Sequence, residues 1–104
     1  MIIGYNSLPA FDQAATDLRF LDELDRLLQA GAFDSYKEAC GAMGISASRI
    51  SEIGVGRYHC NLKMLYRLVQ HYPTADFPFI LFGSAVSARP EPTQAPERAQ
   101  GRRW

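Results

Sequence analysis

Ser35-Tyr36-Lys37-Glu38-Ala39-Cys40-Gly41-Ala42-Met43-Gly44-Ile45-Ser46-Ala47-Ser48-Arg49-Ile50-Ser51-Glu52-Ile53-Gly54-Val55-Gly56-Arg57 reads as a short helix, a tight turn and a second short helix. Ser35 is a good N-cap, and Glu38 three positions on completes a capping box. The first helix should end near Met43, because Gly44 adopts the left-handed conformation without a Cβ clash. Ile45 closes the turn inward. Ser46 is expected to cap the second helix, which runs to about Ile53 and stops at Gly54 and Gly56.

That second helix has two unlike faces. At 100° per residue, Ile50 and Ile53 lie together and must face a core. Ser48, Ser51 and Glu52 lie opposite, with Ala47 and Arg49 on the flanks. A helix meant for a DNA major groove needs small residues for close approach and hydrogen-bonding residues to read base edges.

Residues 35–56 resemble the helix-turn-helix of the Cro/repressor (XRE-like) DNA-binding family. The family's small mid-helix residue, turn glycine and two later apolar residues correspond to Cys40, Gly44, Ile50 and Ile53. The likeness extends to Arg19-Phe20-Leu21, to Asn61-Leu62-Lys63-Met64-Leu65, to Val69-Gln70-His71-Tyr72-Pro73 and to Phe79-Ile80-Leu81-Phe82-Gly83. Two positions depart from the family: Tyr36 stands where glutamine often binds phosphate, and Cys40 stands where alanine is usual. The resemblance implies an all-α, compact five-helix, lambda-repressor-like bundle. It also implies a sequence-specific regulator of transcription, expected to be a repressor, that binds double-stranded DNA as a homodimer on a palindromic operator. On this reading Ala47, Ser48, Arg49, Ser51 and Glu52 face bases. Tyr36, Lys37, Arg57, Asn61 and Lys63 hold the phosphate backbone.

The length of 104 residues allows one domain. Residues 1–15 read as an N-terminal arm, 16–83 as the domain and 84–104 as a disordered tail rich in proline, alanine and arginine. Ile2, Ile3 and Tyr5 suit a short extended arm, lying on the core or reaching a second subunit. The first domain helix spans about Thr16 to Ala30, with Leu18, Leu21, Leu24, Leu27 and Leu28 at helical spacing and Gly31 as its stop. Asn61 caps a further helix that runs to about Tyr72 and is stopped by Pro73. Leu62, Leu65, Tyr66, Leu68, Val69 and Tyr72 share one of its faces, and Lys63, Arg67 and Gln70 the other. Asp76 caps a last short helix, Phe77 to Phe82, whose apolar density exceeds what one face needs. From Ser84 the composition cannot build a core.

The formal net charge is zero, but the charge is polarised. Between Ser46 and Tyr72, Arg49, Arg57, Lys63 and Arg67 stand against Glu52 alone. Between Ala10 and Asp34, six acids stand against Arg19 and Arg26. This predicts a basic DNA-facing side and a solvated acidic back.

Other chemistry finds little footing. Cys40, Cys60, His59 and His71 follow no metal-ligand spacing, and Cys40 falls on a buried face, so neither enzyme activity nor metal nor cofactor is expected. No stretch is long and apolar enough to span a membrane. Met1-Ile2-Ile3-Gly4-Tyr5 lacks the pattern of a signal peptide, and two cysteines without a pairing pattern suit the cytoplasm. The competing reading is an antitoxin-like or adaptor module that keeps the fold and binds a protein through its last helix or tail.

Overall fold

A computed structural model describes residues 10–92. Among these residues there are five α-helices and no strand: α1 (Gln13–Gln29), α2 (Tyr36–Met43), α3 (Ser48–Gly54), α4 (Leu62–His71) and α5 (Phe77–Phe82), followed by a 3-10 turn at Gly83–Ala85. The all-helical class expected from the sequence is therefore observed.

α1 is the post around which the others stand. It packs on α2, α3 and α5, and α2 packs on α4. Phe20, Leu21, Leu24 and Leu27 are fully buried along it and meet Ala39, Cys40 and Met43 of α2, Ile50 and Ile53 of α3, and Met64, Leu65 and Leu68 of α4. Leu18 and Leu28, expected in the stripe, sit at its margins and are only half-buried. Phe20 takes the central place that the leucine spacing did not single out.

Local signals set most helix ends. Ser35 accepts from the Glu38 amide at 3.3 Å, Asn61 from the Met64 amide at 3.0 Å and Asp76 from the Phe79 amide at 3.0 Å, each satisfying a donor that the first helical turn leaves open. The Glu38 carboxylate reaches back one residue further than in a simple capping box, to the Asp34 amide at 3.1 Å. Gly44 has φ 77°, and the Gly44 and Ile45 amides close the end of α2 on Gly41 and Cys40 carbonyls.

Several expectations are corrected. α1 begins at Gln13, not Thr16, because Asp12 accepts from the Ala15 amide at 3.2 Å and the Thr16 hydroxyl donates to the Asp12 carbonyl at 2.9 Å. Residues 13–15 thus belong to the bundle rather than to an arm, while residues 1–9 lie outside the described part. Ser46 does not cap α3 with its side chain. Ala47 occupies the N-cap, and Ser46 Oγ instead bonds Ser48 Oγ at 3.0 Å. Residues 84–92 do not leave the domain. Arg89 bonds Glu23 at 2.7 Å and Asp22 at 3.2 Å, and stacks on the Phe79 ring 3.8 Å from its centroid. Glu91 bonds Arg19 at 3.0 Å and accepts from the Ser84 amide at 2.9 Å. The expected tail beyond residue 92 lies outside the described part.

The acidic back is a solvated face only in part: Asp12 and Asp34 are exposed, and Asp22 and Asp25 half-buried. Glu23 and Asp17 are buried. Asp17 accepts from Gln13 at 2.8 Å, from the Cys60 amide at 2.9 Å and bonds His59 at 2.7 Å. Glu23 binds Arg26, Arg89 and the Asp76 amide. Burial alone would push the Glu23 carboxyl up. The hydrogen bonds from Arg26, Asp76 and Arg89 more than offset it and hold the carboxyl below its usual value.

Candidate nucleic-acid interface

α3 is anchored by Ile50 and Ile53, which are buried, and this turns its other faces outward. Ala47, Ser48 and Arg49 are exposed, and Ser51 and Glu52 are half-buried. Ala47, Ser48 and Ser51 share a shallow depression with Ser35, Tyr36 and Lys37, so the start of α2 and the outer face of α3 form one surface.

Arg49 is not free on that surface. Its guanidinium donates to Glu52 Oε1 at 2.8 Å, one turn along, and its carbon sits 4.4 Å from the centroid of the Tyr58 ring. Tyr58 is half-buried against the core, in the loop between α3 and α4. That loop is fixed from two sides. The Arg57 and Tyr58 amides donate to the Glu52 carbonyl at 2.8 and 3.3 Å, and Asp17 of α1 holds Cys60 and His59. Gly56, at φ 81°, supplies the left-handed residue that lets the chain turn back this tightly.

Of the expected backbone-contacting residues, Lys37, Arg57, Asn61 and Lys63 are exposed. Asn61 spends its side-chain oxygen on the α4 cap. Tyr36 differs: its ring is buried and its hydroxyl donates to Asp25 of α1 at 2.7 Å. A phosphate contact from that hydroxyl would require breaking this bond, so Tyr36 is first a tie between α1 and α2. Arg67, counted among the outward cations, is half-buried and donates to the Met43 carbonyl at 3.2 Å, against the glycine that ends α2. It satisfies an open helix-end acceptor.

Tyr58, like His59, is expected from the sequence as a possible donor to the DNA backbone, and the structure shows it under Arg49 instead. Asp17 was not legible as part of this site, because it acts 43 positions away, which no helical periodicity reports.

The remaining reactive side chains are occupied or inert. Burial pushes the Cys40 thiol up to about 11. Burial, then the Asp17 charge, raises Cys60 further. Both stay protonated near neutrality and are poor nucleophiles. His71 Nδ1 bonds the Arg67 carbonyl of its own helix at 3.0 Å. Among the described residues no three His, Cys, Asp or Glu side chains are placed to hold a metal ion, and no helix is long and apolar enough to cross a membrane.

Compared with known protein families, curated proteins and solved structures, the chain matches none.

Proposed function

We propose that this chain is a sequence-specific double-stranded DNA-binding regulator in which α2, the Gly44 turn and α3 act as a helix-turn-helix. The observation that carries the reading is the outward row Ala47, Ser48 and Arg49 on a helix pinned by Ile50 and Ile53, with Lys37 lining the same depression and Arg57 and Lys63 also exposed. Small residues permit close approach to a groove, and an arginine at its edge suits the paired acceptors of guanine. Ala47 would pack on a thymine methyl, and Ser48 and Ser51 would tolerate several partners. Lys37, Arg57, Asn61 and Lys63 would set register on phosphates without reading sequence. Two copies on a palindromic operator would act as a repressor.

The test is selection of duplexes from a random pool by the purified protein at low salt. Enrichment of a two-fold symmetric site supports the whole reading. An asymmetric site removes the symmetric dimer, and no enrichment by folded protein overturns DNA recognition.

A second reading, a protein-interaction module, is favoured by one surface. Leu62 and Tyr66 are exposed and, with Val69, Gln70 and Phe77, line an apolar depression between α4 and α5. Of the residues expected on the apolar face of α4, these two leave the core. A patch of this kind suits a protein surface, whether a second copy or a different chain. Affinity for DNA that falls steeply with salt would favour the first reading, and a stable hetero-complex without DNA the second.

A further inference from the structure

We propose that Glu52 and Tyr58 are positioning residues that preset Arg49, so that the three side chains act as one reading unit rather than as separate base contacts. The inference rests on the DNA-binding reading of α3.

An arginine on a helix surface explores many rotamers, and ordering it on binding opposes recognition. Here the ordering is done beforehand, from two directions. The Glu52 carboxylate takes one terminal N–H at 2.8 Å. The Tyr58 ring lies against the face, 4.4 Å away, at a distance suited to cation–π attraction. One edge and one face are engaged, yet 44% of the Arg49 side chain remains exposed. The guanidinium carries five N–H donors. Those not spent on Glu52 stay available for a base edge.

The shelf is itself tied down. Tyr58 packs on the core, and its amide donates to the Glu52 carbonyl at 3.3 Å. Glu52 therefore holds the assembly twice, through its carbonyl to the loop and through its carboxylate to Arg49. Asp17 fixes the far end of the same loop at Cys60 with a 2.9 Å bond.

The arrangement separates two quantities that a free arginine would link. The Arg49–Glu52 pair is neutral as a unit, so it adds little to general attraction for phosphate, which depends on net charge. Its contribution is direction. Glu52→Gln should therefore raise affinity for a random duplex by about 2-fold, because a carboxylate leaves the surface. It should also lower discrimination against a substituted guanine by about 2-fold, because the fork is no longer held. Tyr58→Leu should lower that discrimination without changing the salt dependence, and Tyr58→Phe, which keeps the ring, should behave as the parent protein.

The experiment has two arms. In the DNA-free protein, nitrogen-15 relaxation of the Arg49 Nε–H group reports side-chain order. Order in the parent and in Tyr58→Phe, lost in Glu52→Gln and Tyr58→Leu, is the expected result. In the second arm the same four proteins bind the selected duplex, its guanine-substituted variant and a random duplex. An Arg49 side chain equally mobile in parent and variants would overturn the clamp. So would ordered Arg49 with unchanged discrimination in both Glu52→Gln and Tyr58→Leu. A loss in Glu52→Gln confined to duplexes with cytosine at one position would make Glu52 a base reader in its own right. Failure of every protein to bind any duplex, with Arg49 ordered in the first arm, would overturn DNA recognition instead.

Discussion

α1 and α3 each carry a glutamate and an arginine three residues apart, and the two pairs live in different worlds. Glu23 and Arg26 approach to 2.6 Å with the Glu23 side chain fully buried. Arg49 and Glu52 approach to 2.8 Å with both side chains partly exposed. Spacing and chemistry are the same. On α1 the carboxylate has further partners in Arg89 and the Asp76 amide, and Arg26 also donates to the Thr74 carbonyl at 3.0 Å. The pair is thus a junction joining α1, the α4–α5 loop and the returning segment near residue 89. Among the described residues, the two side chains on α3 bond each other and Arg49 leans on one ring. A buried carboxylate that several donors share holds a fold together because each donor loses its acceptor when it goes. An exposed pair is inexpensive to break and so is available for function.

The largest test of this contrast is Glu23→Ala. Removing the carboxylate takes the acceptor from Arg89 and the Asp76 amide, which are half-buried, and from Arg26, whose side chain is 41% exposed, which should cost about 3–5 kcal/mol in urea denaturation. A loss below about 1 kcal/mol, the range of exposed pairs, would erase the distinction between the two sites. Glu23→Gln, which keeps an acceptor, should lose less and remain folded enough to measure.

Acid sharpens the same point. The folded Glu23 carboxyl lies below its ordinary value, despite burial, because of Arg26, Asp76 and Arg89. Glu91 is likewise held down against burial by the Ser84 amide and Arg19. As pH falls, the unfolded chain takes up these protons first. The stabilisation is therefore complete above the unfolded carboxyl value of about 4.3 and disappears as pH drops through the lower folded values. Melting temperature should fall across this window, and the fall should be shallower in Glu23→Gln. An equal slope in both proteins would mean that other carboxylates carry the acid response.

These junctions explain where the sequence could be read and where it could not. Ser35, Gly44, Asn61 and Asp76 act on neighbours within a few residues, so caps and turns were legible at once. Ile50 and Ile53 declared their face by helical spacing, which also placed Ala47, Ser48 and Arg49 outward. Glu23 and Arg89 are 66 positions apart, and Asp17 and Cys60 are 43 apart. A run of acids on α1 looks the same whether it faces water or distant donors, so it read as a solvated back. Proline-rich composition likewise hid Arg89 and Glu91, whose partners make residues 84–92 part of the bundle. At the candidate site, the Glu52 pairing was implicit in the helix, but the Tyr58 shelf was not, because it depends on how the glycine-containing loop turns.

Gly44 tests the hinge between the two regions. At φ 77° it sits where a side chain is strained, and a Cβ would also run into the Arg67 guanidinium that bonds the Met43 carbonyl. Gly44→Ala should cost about 1–2 kcal/mol from the left-handed conformation alone. It should also displace Arg67, detectable as a chemical-shift change at Met43 and Arg67. A neutral substitution would mean that the turn relaxes freely and that α3 is not held at a fixed angle to α2.

The smallest expected effect completes the comparison from the exposed side. Glu52→Ala removes a salt bridge between half-exposed partners, where solvent screens the charges and ordering two side chains offsets part of the gain. Pairs of this spacing on a helix surface contribute about 0.2–0.5 kcal/mol. The backbone carbonyl of residue 52 remains to hold the Arg57 and Tyr58 amides, so the loop should keep its shape. Thermal or urea unfolding should therefore shift by no more than about 0.5 kcal/mol, roughly a tenth of the Glu23→Ala loss at the upper end of its range. A loss near 2 kcal/mol would show that the carboxylate supports the loop as well as Arg49, and would move this pair from the candidate surface into the framework. A small loss leaves Glu52 present for a reason other than stability, on a helix whose polar side chains point away from the core.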